Sequence, residues 1–83
     1  MYNWRNFTPS DIEYDWESDK LAEHGLNYEE AVQAFLNPFD VFKNKGYEDR
    51  YQLFGRTNGG RKVEIIFQLK PQKVVRIITG WAL

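Results

Sequence analysis

The stretch RYQLFGRTNGGRKVEIIFQL, residues 50–69, constrains the fold of this chain more than any other. Apolar and polar residues alternate along both of its arms, the period of a half-buried strand, and Asn58-Gly59-Gly60 lies between them. Asn-Gly accepts the positive φ angles of a tight reversal, so the segment reads as one β-hairpin. Its register follows from side-chain chemistry, because a slip of one residue turns every side chain to the opposite face. A two-residue Asn58-Gly59 turn sets Leu53 against Glu64 and mixes the faces. A three-residue loop closed by Thr57 and Arg61 instead collects Tyr51, Leu53, Gly55, Val63, Ile65, Phe67 and Leu69 on one face. The other face then carries Arg50, Gln52, Phe54, Arg56, Lys62, Glu64, Ile66 and Gln68. Lys70-Pro71-Gln72-Lys73 turns the chain into a last strand, with Val75, Ile77, Thr79 and Trp81 expected on the core face and Val74, Arg76 and Ile78 on the outer one.

The residues before the hairpin read as helical. Residues 1–10 hold Trp4 and Phe7 in a polar background and end in Thr8-Pro9-Ser10, which predicts an extended arm laying two rings on the domain. Ser10 and Glu13 have capping-box spacing and Asp15 is a second start, so a first helix is expected within residues 11–24, with Ile12, Trp16, Leu21 and Tyr14 turned inward. Gly25 closes it as a left-handed residue, and His24 just before it suits the negative end of the helix dipole. A lone histidine in that place is first a capping or packing residue. Asn27 then caps a second helix with Glu30 at its third position, and Leu26 and Ala31 occupy the two hydrophobic-staple sites. Tyr28, Ala31, Val32, Phe35 and Leu36 form its apolar stripe, and Asn37-Pro38 ends it, since the residue before proline is driven out of the helical region. Residues 39–44 read as a short edge strand before a Lys45-Gly46 turn.

Eighty-three residues make one domain, here the arm 1–10, two helices within 11–37 and a sheet over 39–83. The expected class is α+β, with two N-terminal helices on one face of a three- to four-stranded antiparallel sheet. Without cysteine, stability has to come from packing, in which aromatic residues at 17% of the chain carry a large share. No run approaches the roughly 18 apolar residues of a membrane span, and the N-terminus lacks the basic-then-apolar order of a signal peptide, so a soluble, cytoplasmic protein is expected.

The net charge of −1 conceals a division. Residues 1–40 hold two bases against nine acids, net −7, whereas residues 41–83 hold nine bases against three acids, net +6. A basic sheet beside an acidic helical half suits a polyanion or an acidic partner on one face; equally, the halves neutralise each other within the fold. On the outer face, Phe54, Ile66 and Ile78 are expected to run across neighbouring strands between Arg50, Arg56 and Arg76. Such a row fits an RNA-facing or partner-binding surface, where arginine grips phosphate bidentately and a ring stacks on a base. The plainer reading is that the N-terminal arm covers it.

There is no glycine-rich phosphate loop, no metal-ligand cluster and no serine or cysteine nucleophile motif. No cofactor is expected. RNA cleavage without a metal needs none of these signatures, because the 2′-hydroxyl supplies the nucleophile and the protein orients it and stabilises charge on the phosphate. Arginines suit the second task, and the general base falls to His24, to a carboxylate such as Glu23 or Glu48, or to Tyr51.

The order DKLAEHGLNYEEAVQAF, GYEDRYQLFGRTNGGRKVEIIF and VVRIIT resembles the BrnT-like toxins of the RelE superfamily, small bacterial ribonucleases of type II toxin–antitoxin pairs. The matching points are His24-Gly25 followed by Glu29-Glu30, the strand start Asp49-Arg50-Tyr51, and Gly55-Arg56 with Gly60-Arg61 around the turn. The resemblance covers residues 12–79 and implies helices on one face of an antiparallel sheet, RNA cleavage on that sheet and neutralisation by a cognate antitoxin. It nominates Arg50, Arg56, Arg76 and His24 as catalytic, and Lys20 and Arg61 as phosphate or partner contacts. Phe54, Lys62, Ile66 and Ile78 join the latter from the outer-face reading. Such toxins commonly run from the last strand through Ser-Ala-Arg into a basic C-terminal helix, where this sequence reads Thr79-Gly80-Trp81 and stops at Leu83. A non-catalytic interaction module and a homodimer formed through the apolar row are the other readings.

Overall fold

The computed structural model describes residues 9–43, 46 and 49–83. The expected arm with Trp4 and Phe7, Lys45 of the expected turn, and Glu48 lie outside these residues. In chain order the elements are β1 (Asp11–Tyr14), α1 (Lys20–Glu23), α2 (Tyr28–Leu36), β2 (Pro38–Lys43), β3 (Arg50–Arg56), β4 (Lys62–Lys70) and β5 (Val74–Ala82), with a short 3-10 turn at Pro71–Lys73. The strands form one sheet in the order β1-β5-β4-β3-β2, antiparallel except that β1 runs parallel to β5.

The hairpin of β3 and β4 has the register argued above. Leu53 faces Ile65, Gly55 faces Val63, and Thr57 closes the loop by donating its N–H to the Arg61 carbonyl at 2.9 Å. Gly60 takes φ +86°, as the third position of such a loop requires. One face of the sheet buries Leu53, Val63, Ile65, Phe67, Val75 and Ile77 against Leu21, Leu26, Ala31, Ala34 and Phe35 of the helical segment. Phe35 meets Phe67 edge to face at 4.9 Å, and each such fully buried ring contributes about 1.5–3 kcal/mol.

Helix α2 starts as its sequence dictates, with the reciprocal Asn27–Glu30 capping box in place. Its buried face is Ala31, Ala34 and Phe35, at i, i+3 and i+4. Leu36, expected in that stripe, is 65% exposed because it lies a further 100° or so round the helix from Phe35, beyond the contact with the sheet. Gly55 lets α2 approach: a Cβ there would stand 2.5 Å from the Ala34 carbonyl oxygen.

Three expectations are corrected. Residues 11–14 form a strand, so the helix expected within 11–24 shrinks to the single turn Lys20–Glu23 capped by Asp19. Asp-Ile-Glu-Tyr also alternates with period 2, and the outer edge of β5 would otherwise present unpaired backbone groups. Ser10 accordingly binds the Lys73 carbonyl through its N–H instead of capping a helix, and Trp16, expected inward, is 62% exposed. Second, the sheet has five strands and is mixed rather than three- to four-stranded and antiparallel, since β1 and β2 both add to its edges. Third, β5 carries a bulge: Phe67 faces Ile77 while its neighbour Ile66 faces Thr79, leaving Ile78 extra. The phase inverts there. Thr79 and Trp81, expected on the core face, pair with the outer-face residues Ile66 and Glu64. Gly80 takes the core side, where a Cβ would meet Ile65 Cδ1 at 2.6 Å and Leu21 Cδ2 at 3.1 Å.

Candidate phosphate site on the outer sheet face

On the face away from the helices, the registers of four strands align Glu13, Arg76, Gln68 and Arg50 into one transverse row. The turn after β1 brings Asp15, Ser18 and Lys20 over the same end of the sheet. Together Asp15, Ser18, Lys20, Arg50, Gln68, Arg76, Ile77 and Ile78 line a cavity of about 280 Å³. Three cations therefore converge there from α1, β3 and β5, elements separated in sequence but adjacent in the fold. Glu13 at the row's end is held chiefly by Lys70, whose ammonium lies 2.8 Å away, and more distantly by Arg76 at 3.9 Å. The Lys70 hydrogen bond holds the Glu13 carboxyl below its usual range against the opposing effect of burial.

Asp15 is the carboxylate that the cavity itself contains, and sequence reading treated it as a helix start. It accepts hydrogen bonds from the Ser18 hydroxyl at 2.9 Å and from the backbone N–H groups of Glu17 and Ser18. The Ser18 bonds lead in lowering its pKa, and Arg76 adds a smaller attraction. The available signal was Asp15-x-x-Ser18, a turn spacing as much as a helix start. Phenolic Tyr14 anchors this turn from the core side. Its hydroxyl donates to Asp19 Oδ1 at 2.5 Å and accepts from the Leu21 N–H at 3.0 Å, and burial pushes its pKa up to about 12.

The remaining nominated residues lie elsewhere. Arg56, at the far end of β3, rests its guanidinium 5.0 Å over the Phe39 ring. Phe54 sits beside Phe39 and Phe42, with ring centroids at 6.4 and 6.0 Å. Arg61 pairs with Glu30 of α2 at 3.1 Å, and Lys62 stands opposite Arg56. Ile66 is nearly buried beside Gln52 and Thr79, so the expected Phe54–Ile66–Ile78 row is broken: Phe54 lies opposite Glu64, and Ile78 sits in the bulge at the cationic cavity. His24 is exposed and packs edge-on against Trp81 at 5.7 Å, outside the set of residues that line the cavity. Of the other nominated bases, Glu23 is exposed on α1 and Tyr51 stacks on Phe67 at 5.6 Å. Among the described residues no group of three or more His, Cys, Asp or Glu side chains converges as a metal-ligand set, and no helix is long and apolar enough to cross a membrane.

The chemistry of this arrangement suits an anion with planar or tetrahedral oxygens: guanidinium is a multiple, charged donor, the ammonium adds a point charge, and Gln68 is a further polar side chain among them. No protein-family model matches the sequence. No curated protein matches it either. Among solved structures, the crystal structure of the Brucella abortus ribonuclease toxin BrnT is similar, with a TM-score of 0.62 and 24% sequence identity over 88% of this chain and 95% of that one. The likeness establishes a BrnT-like fold.

Proposed function

We propose that this protein is a ribonuclease toxin of a type II toxin–antitoxin pair, of the BrnT-like group in the RelE superfamily, cleaving RNA without a metal. The observation that carries this reading is the cavity where Lys20, Arg50 and Arg76 converge, on a sheet shared in fold with a ribonuclease toxin. A scissile phosphate seated there is gripped by Arg50 and Arg76, while Lys20 offsets charge that builds on its oxygens in the transition state. The ribose 2′-oxygen attacks phosphorus, the bond to the 5′-oxygen breaks, and a cyclic phosphate and a free 5′-hydroxyl result. The nucleophile's proton leaves to a base and another arrives at the 5′-oxygen. Asp15 at the cavity wall is held ionised by its Ser18 hydrogen bonds, which weaken it as a base, so its part in this reading is to orient the attacking 2′-hydroxyl. Arg56 and Arg61 lie too far along the hairpin in register to share that phosphate, and they serve flanking RNA or the antitoxin.

The partner this reading requires is a cognate antitoxin that covers the basic face. Induction in bacteria tests the function directly. Growth arrest with RNA degradation is expected from the wild-type chain, and the Arg50→Ala/Arg76→Ala double variant should lose both effects while remaining folded. Normal growth with intact RNA on induction of the wild-type chain would remove the ribonuclease reading.

A further inference from the structure

Beyond the phosphate cavity, the outer face holds a cluster that sequence reading did not assemble. Strand β2 is an edge strand, and two of its rings are exposed, Phe39 at 45% and Phe42 at 51%. Phe54 of β3 braces both, meeting Phe42 nearly perpendicularly at 80°. The Phe39 ring is occupied by Arg56, which leaves Phe42 as the presented ring.

We propose that Phe42, braced by Phe54, is a stacking platform for an unpaired base of single-stranded RNA whose backbone reaches the cationic cavity. The proposal rests on the ribonuclease reading and names where the flanking nucleotide goes. Continuity carries it first. Phe42 faces Gln52, which lies two residues from Arg50 on the same face of β3, so the backbone positions of ring and arginine are offset by about 7 Å along the strand direction. Charge carries it second. Arg50, Arg56 and Lys62 share this face, whereas Glu64 is engaged by the Gln52 amide at 3.1 Å and Asp40 is the acid that β2 contributes. Phe39 and Phe42 each pack on Phe54, and the amide and charged side chains of Gln52, Arg56 and Glu64 border this small group, a setting that suits a base with its apolar face and polar edges. A protein interface favours a continuous desolvated centre.

The test uses fluorescence anisotropy with a short mixed-sequence RNA strand, 2′-O-methylated throughout so that it cannot be cleaved, and an abasic strand of the same length. Phe42→Ala should weaken binding of the base-bearing strand about five- to 150-fold, Phe42→Tyr should restore it, and the abasic strand should bind both proteins equally weakly. Phe42 is half exposed, and an unchanged melting temperature in each variant verifies the fold. Equal binding of the base-bearing strand by wild type and Phe42→Ala overturns the platform. So does self-association in sedimentation that fails in Phe42→Ala while RNA binding is unchanged, which makes a second copy the occupant. With unmodified RNA, cleavage at equal rates by both proteins overturns the platform and leaves the ribonuclease reading intact. Phe42-dependent binding with no cleavage keeps the platform and removes that reading.

Discussion

Tyr14 ties the fold to the site. Its ring packs at the margin of the core, and its hydroxyl holds both the cap of α1 and the Leu21 N–H, so the turn bearing Asp15, Ser18 and Lys20 is positioned from beneath. Burial and the bond to Asp19 raise its pKa from 10.0 to about 12. The native state thus holds this proton more tightly than the unfolded chain. Tyr14 therefore contributes its full stabilisation below pH 10, and the contribution is lost as pH rises through about 12. Tyr14→Phe is expected to cost about 1 kcal/mol at neutral pH, the net worth of a partly buried hydroxyl's hydrogen bonds. The difference from wild type in urea unfolding should shrink across that alkaline window; a gap independent of pH there would refute the assignment. Because the phenol is read from sequence only as an apolar ring, nothing in DIEYD announces this anchoring role.

At the scale of elements, the contact of α2 with β3 depends on the absence of a side chain at Gly55. The obstructing atoms are the Ala34 backbone, which yields only if the whole helix moves. Gly55→Ala is expected to destabilise the protein by about 1–3 kcal/mol, the usual cost of overpacking, seen as a lower urea midpoint with an unchanged slope. An unaltered midpoint would show that α2 is not seated as described. This contact was half legible. Alternation put Gly55 on the core face, but which helix residue it meets depends on how α2 lies across the sheet. Strand β1 was misread because four residues with Ile12 and Tyr14 two apart, followed by Trp16, satisfy a strand and tolerate a helix. The open edge of β5 decided between them.

Across the whole molecule, the division into an acidic first half and a basic second half becomes a division of surfaces only in part. Arg61 crosses it to Glu30 and Lys70 to Glu13, so some charges neutralise each other within the fold, while Lys20 and Asp15 of the acidic half join the cationic cavity. If the three cations hold one phosphate there, the site should contribute about −0.7 to the slope of the logarithm of single-stranded RNA affinity against the logarithm of salt, and Arg76→Ala should make the slope shallower by up to about 0.7. A slope unaffected by Arg76→Ala would place the RNA elsewhere. Hairpin register, the α2 capping box and the helix stop at Asn37-Pro38 were determined by the sequence alone, because each depends on residues within a few positions of one another. The parallel pairing of β1, the bulge that turns Thr79 and Trp81 outward, and the meeting of Lys20, Arg50 and Arg76 were decided only by the tertiary structure. Each of these sets side chains from distant segments against one another, and no local spacing records which edge needs a partner or which strand must bend to keep the core filled.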